Sequence, residues 1–164
     1  MKKTTLFATL LMILVAPLIV CSGCSSEDAA PVSQPIQDDS NQTDAVMKDT
    51  IRITIGDRVF KATLESNATA SAFKAMLPLT IDMRDLNSNE KFFDFPNNLP
   101  TNASNPRTIN SGDLMLWGSN TLVLFYKTFS TTYSYTRVGR LENPSGLEAA
   151  LGSGNVTVLF ELQQ

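Results

Sequence analysis

The sequence predicts a mainly β domain, a closed antiparallel barrel of about eight strands with two short helices. Three observations lead there. Short runs alternate apolar and polar residues with a period of two, Gly, Asn and Pro separate them, and no strand–helix–strand rhythm of a parallel sheet is present.

Ile51, Ile53 and Ile55 alternate with Arg52 and Thr54, giving a half-buried strand over 51–55. Gly56-Asp57 turns the chain, and Arg58 to Leu64 returns as the second arm of a hairpin. Asn67 or Thr69 caps a helix over Ala70 to Leu77, which Pro78 stops. Leu79 to Met83 and Lys91 to Phe95 are short strands, and the Asn-, Pro- and Thr-rich segment from Pro96 to Ser111 is a loop. Asp113 to Trp117 and Thr121 to Lys127 form a tight hairpin about Gly118-Ser119-Asn120. Its second arm is almost continuously apolar and is therefore central. Thr132 to Leu141 is the next strand, Pro144 to Leu151 a helix capped by Asn143 and ended by Gly152, and Val156 to Leu162 the last strand.

Ahead of this domain, assigned to 49–164, the chain changes character twice. Residues 1–23 form a signal peptide: Lys2 and Lys3 precede an apolar run from Leu6 to Val20, too short for a membrane span. The run closes on Val20-Cys21-Ser22-Gly23-Cys24, which is similar to a bacterial lipobox, with Cys21 where an aliphatic residue is usual. Small residues before the cut make Cys24 the lipid attachment site. The expectation is a lipoprotein held in the cell envelope by the lipid on Cys24, facing the periplasm from an outer membrane or standing on the outer face of a single membrane. Residues 24–48, rich in Ser, Asp, Gln and Pro, form a disordered tether able to extend on the order of 80 Å.

Composition removes whole classes of chemistry. The chain has no histidine, and its two cysteines are Cys21 and Cys24, so Ser-His triads, Cys-His dyads and the usual zinc sites are absent. A net charge of −3, more negative once Lys2 and Lys3 are removed, argues against nucleic acid. No cofactor is expected. Asp82, Asp85 and Glu90 around Asn87-Ser88-Asn89 lack the spacing and glycine of an EF-hand loop and read as a solvated turn. Asp94 and Asp113 can act as an acid–base pair only where the fold brings them together. Trp117 and Phe125 are assigned to the barrel core.

Thr69-Ala70-Ser71-Ala72-Phe73, Gly112-Asp113-Leu114-Met115-Leu116, and Val138-Gly139-Arg140-Leu141 followed by Leu147-Glu148-Ala149-Ala150 resemble segments of the cyclophilin fold over residues 51–162. Gly112 to Lys127 with Tyr135 to Arg140 is more closely similar to the bacterial cyclophilin-like domain family. The resemblance implies a barrel with helices over its open ends. Cyclophilins isomerise prolyl peptide bonds by placing an arginine against the prolyl nitrogen, which weakens amide conjugation. The Phe-His-Arg strand and the Gln-Gly-Gly-Asp segment that serve this in cyclophilins have no counterpart here. Aligned on the aromatics of Lys91 to Phe95, Asp94 falls near the arginine's position, and Asn97 and Asn98 stand in the following loop. A carboxylate cannot supply the electrophile.

By the same resemblance, Phe129, Tyr133 and Tyr135 fall at the pocket wall, and Arg137 lies in the strand beside it. The aromatics form a binding cleft or pack as cross-strand pairs, and Arg137 faces that cleft or water. The functional expectation is a membrane-anchored binding module for a small molecule or an extended peptide. Its alternatives are an isomerase-like enzyme using Arg137 and a docking protein of the envelope.

Overall fold

A computed structural model describes residues 49–163 of the chain. The leader, the tether and Cys24 lie outside these residues. Ten strands and two helices follow in order: β1 (Thr50–Ile55), β2 (Arg58–Leu64), α1 (Ala68–Lys74), β3 (Leu79–Leu86), β4 (Glu90–Asp94), β5 (Thr108–Ile109), β6 (Asp113–Trp117), β7 (Thr121–Phe125), β8 (Phe129–Ser130), β9 (Tyr135–Leu141), α2 (Leu147–Leu151) and β10 (Val156–Leu162). Eight of the strands close a barrel in the order β1-β10-β3-β4-β7-β6-β9-β2, every pairing antiparallel. The predicted fold class is the observed one. β5 and β8 form a separate two-stranded ribbon, β5 within the segment expected to be a loop, because two residues cannot display a period.

The alternation that predicts the strands also assigns their faces. Ile51, Ile53, Ile55, Phe60, Ala62, Leu64, Met83, Val158 and Phe160 fill the barrel with Leu114, Leu116, Leu122 and Leu124. Closure leaves no sheet edge among these eight strands, and each large aliphatic side chain buried there contributes roughly 1.5–3 kcal/mol. β7 is continuously apolar for a different reason: both of its faces are covered. Val123 and Phe125 point outward into a second cluster with Ile109, Met115 and Tyr135, flanked by Phe92 and Phe129. Phe125 is thus buried outside the barrel rather than inside it, and Trp117 is 52% exposed instead of being core.

The helices lie over opposite ends, as their connections require. α1 begins at Asn67, whose side chain accepts a hydrogen bond from the Ala70 amide at 2.8 Å. It starts two residues before the predicted helix and ends at Lys74, three residues short of the prediction, where the Met76 and Leu77 amides donate to the Phe73 and Lys74 carbonyls and tighten the chain ahead of Pro78. Phe73 enters the barrel end edge-to-face on Phe160, with centroids 5.5 Å apart. α2 starts at Leu147, three residues after the predicted start, with Gly146 at its N-cap; Asn143 instead turns the chain by accepting from the Ser145 amide at 3.0 Å. Leu147 and Leu151 complete the core. Where β9 meets β2, Gly139 is required by close approach: a Cβ there would stand 2.7 Å from the Thr63 carbonyl oxygen.

Candidate functional site

The outer faces of β4, β7 and β6 carry a cleft of about 420 Å³, a volume within the small-molecule range of about 300–1,000 Å³. Its position follows from strand alternation. Glu90, Phe92 and Asp94 project outward from β4 while Lys91, Phe93 and Phe95 project inward, and Thr121 and Val123 do the same on the paired strand β7. Trp117 and Tyr135, opposite one another across β6 and β9, form one side, and Tyr133 stands over it. Leu86 and Asn87, from the β3–β4 turn, close the other end.

Two aromatics of the cleft are open to solvent, Trp117 at 52% and Tyr133 at 65%. Tyr135 is buried edge-to-face on Phe125, centroids 5.5 Å apart. The backbone around it is tied down: Ser104, in the long loop, exchanges two 3.0 Å hydrogen bonds with Tyr135, and the Asn102 amide donates to Thr136 Oγ1 at 3.0 Å. The Tyr133 amide donates to Thr131 Oγ1 at 3.1 Å, beside the β5–β8 ribbon. The exposed rings therefore stand on a fixed framework.

The two carboxyl groups of the cleft have different surroundings. Asp94 accepts from Arg84 Nη2 at 2.6 Å and from Thr121 Oγ1 at 2.7 Å, and the Arg84 guanidinium lies 4.4 Å from the Phe92 ring centroid. Glu90 has no side-chain hydrogen bond or ion pair among the described residues. Burial, with the nearby charge of Asp85, pushes it up to about 7 from an ordinary value of 4.5. Burial raises the Tyr135 phenol as well, and the charge of Glu90 raises it further.

One residue on from Glu90, Lys91 points into the barrel and is fully buried. Its ammonium donates to Asp85 Oδ2 at 2.7 Å, to the Gly152 carbonyl at 2.9 Å and to the Gly154 carbonyl at 2.6 Å, which uses all three of its protons. Asp85 also accepts the Tyr126 hydroxyl at 2.7 Å, and the Lys91 hydrogen bond foremost holds its carboxyl below the usual range. Tyr126 is raised, first by burial and then by Asp85. The acidic turn expected to be merely solvated thus anchors a buried ion pair through Asp85. Among the described residues no group of side chains is arranged to hold a metal ion.

Of the residues singled out from sequence, Tyr133 and Tyr135 line the cleft. Phe129 packs on Phe125 at 5.8 Å between centroids, in the cluster next to it. Arg137 is exposed on β9 outside the lining, and its carbonyl accepts from Asn67 Nδ2 at 2.9 Å. Asp94 and Asp113 do not meet: Asp94 pairs with Thr121 at one end of the strands, while Asp113 begins β6 at the other, roughly 13 Å along. Asp113 is fully buried and accepts from the Asn110 amide at 2.8 Å. Sequence reasoning missed Glu90, Phe92 and Trp117 as cleft residues. A strand over Lys91 to Phe95 was legible, but its faces were not: Glu90-Lys91-Phe92-Phe93-Asp94 puts charged residues and a phenylalanine on both faces, so no alternation tells which side acquires a wall.

An eight-stranded closed antiparallel barrel with a helix over each end and a cleft on its outer face defines a protein of cyclophilin-like architecture. Residues 53–161 match the cyclophilin-like family, and the chain belongs to it. Its fold is also similar to the solution structure of the hypothetical protein AF2241 from Archaeoglobus fulgidus, with a TM-score of 0.55 and 17% identity over 71% of this chain and 96% of that one. No curated protein matches the sequence.

Proposed function

We propose that this chain is a lipid-anchored binding module of the cell envelope, which holds a small molecule in the outer-face cleft of its barrel. The observation that carries the reading is the pairing of a small-molecule-sized cavity with two solvent-open aromatics, Trp117 and Tyr133, on a backbone fixed by the Ser104–Tyr135 bridge. Large rings left in water beside a concave apolar floor mark a binding surface, because burying them against a ligand recovers favourable free energy. The lipobox-like stretch ending at Cys24 and the tether after it support the envelope location.

An isomerase mechanism asks for an arginine free to approach a prolyl nitrogen in the cleft. Arg137 stands outside the lining, and the guanidinium of Arg84 is engaged by Asp94. Binding is therefore favoured over catalysis. The test is a thermal-shift screen of neutral and charged fragments on the full chain in detergent, repeated on Trp117→Ala. Hits that raise the melting temperature of the parent and not of the variant are expected; hits indifferent to Trp117→Ala, or no hits, would reject the cleft. Labelled-lipid incorporation lost on Cys24→Ser is the corresponding test of the anchor.

A further inference from the structure

We propose that the occupant of this cleft is a small organic cation, whose charged nitrogen sits against Glu90 on the Tyr135 side of the cleft that Trp117 and Tyr133 also line. The proposal rests on the cleft being a binding site and specifies its chemistry. Charge complementarity selects the occupant. Among the described residues no lysine or arginine lines the cleft, Asp94 is already matched by Arg84, and Glu90 is the acceptor without a partner. A half-buried carboxylate with nothing to accept from is unfavourable unless a positive charge arrives or it takes a proton. Tyr135, which senses the charge of Glu90, and the other rings of the cleft add attraction for a cation through their negative faces, more in a desolvated site. A neutral ligand of the same shape gains neither contribution, and an anion is repelled.

The groups that face Glu90 agree in sign. Asp85 from β3 adds negative charge, the phenols of Tyr126, just after β7, and Tyr135 on β9 sense the charge of Glu90, and Tyr133 lies beside Tyr135. The neighbouring cations are committed elsewhere, Lys91 to Asp85 inside the barrel and Arg84 to Asp94. Cation binding is then linked to proton loss from Glu90, whose carboxyl burial and the charge of Asp85 push up to about 7.

Trp117 is the chain's one tryptophan, so its emission reports on the cleft. The experiment titrates the full chain in detergent with choline and with its neutral isostere 3,3-dimethylbutan-1-ol, following that emission. Choline is expected to bind at least about tenfold more tightly at pH 8, to lose about tenfold between pH 8 and pH 6, and in Glu90→Gln to lose both that pH dependence and most of its preference over the isostere, keeping only what the aromatic rings supply. Equal affinities for the two probes, or no change in Glu90→Gln, would overturn the cation assignment. So would choline leaving Trp117 unmoved while a neutral fragment of the screen shifts it, and in that case the cleft itself survives as a binding site. Failure of every fragment and of both probes would remove the cleft together with its occupant.

Discussion

Glu90 and Lys91 are neighbours in the chain and opposites in the structure. Strand β4 turns Lys91 into the barrel, where three acceptors take its three protons, and turns Glu90 outward into the cleft, where no side chain among the described residues answers its charge. Lys91 is removed from water entirely and Glu90 in part, so both carry a cost. The difference is that the cost at Lys91 is offset within the fold, by tying the β3–β4 turn to the segment after α2, while the cost at Glu90 is left standing. A charge fully satisfied by its own chain is architecture. A charge held half-buried without a partner is poised for something the chain does not contain.

Breaking the satisfied side should give the largest effect. Lys91→Met removes the ammonium, strands Asp85 and leaves two carbonyls without their donor; a loss of about 3–5 kcal/mol in denaturant unfolding is expected. Loss under about 1 kcal/mol would mean that water replaces the ammonium there. Tyr126→Phe takes away a single hydrogen bond to Asp85 and should cost about 1–2 kcal/mol. Because the carboxyl of Asp85 is held below its ordinary value, the stability it adds is present above that value and is lost as pH falls through the depressed one, so the deficit of the Tyr126→Phe variant should shrink in acid.

On the unsatisfied side the sign reverses. The carboxyl of Glu90 is raised from 4.5 to about 7 in the folded chain, so folding becomes less favourable as pH climbs through that window. Glu90→Gln should therefore be more stable than the parent at pH 8, by about 1 kcal/mol after allowing for its partial exposure, and level with it near pH 4.5. A variant less stable at pH 8 would show that Glu90 has a structural partner and would erase the contrast with Lys91.

The barrel was legible because alternation is a local property. Ile51, Ile53 and Ile55 announce a face to any reader, as do Leu114 and Leu116. What remained hidden depended on a second layer. Phe125 was recognised as buried but given to the wrong side of β7, since a strand covered on both faces carries no alternation with which to orient it. Trp117 was sent to the core by its apolar character, yet it ends β6 next to the Gly118 turn and stands half in solvent. Tyr133 and Tyr135 do meet at the cleft, whereas Phe129, four residues before Tyr133, is drawn into the cluster around Phe125 by the β5–β8 ribbon.

By itself the sequence determined the class of fold, the number of barrel strands and their places along the chain, the absence of histidine chemistry and the lipobox-like approach to Cys24. Each of these is written in neighbouring residues or in composition. Only the tertiary structure decided which carboxylate is answered and which is not, because Asp85, Gly152, Gly154 and Tyr126 reach Lys91 from separate parts of the chain. The same closure of the barrel that gathers them inside turns Glu90 outward, and neither outcome is encoded within five residues of β4 alone.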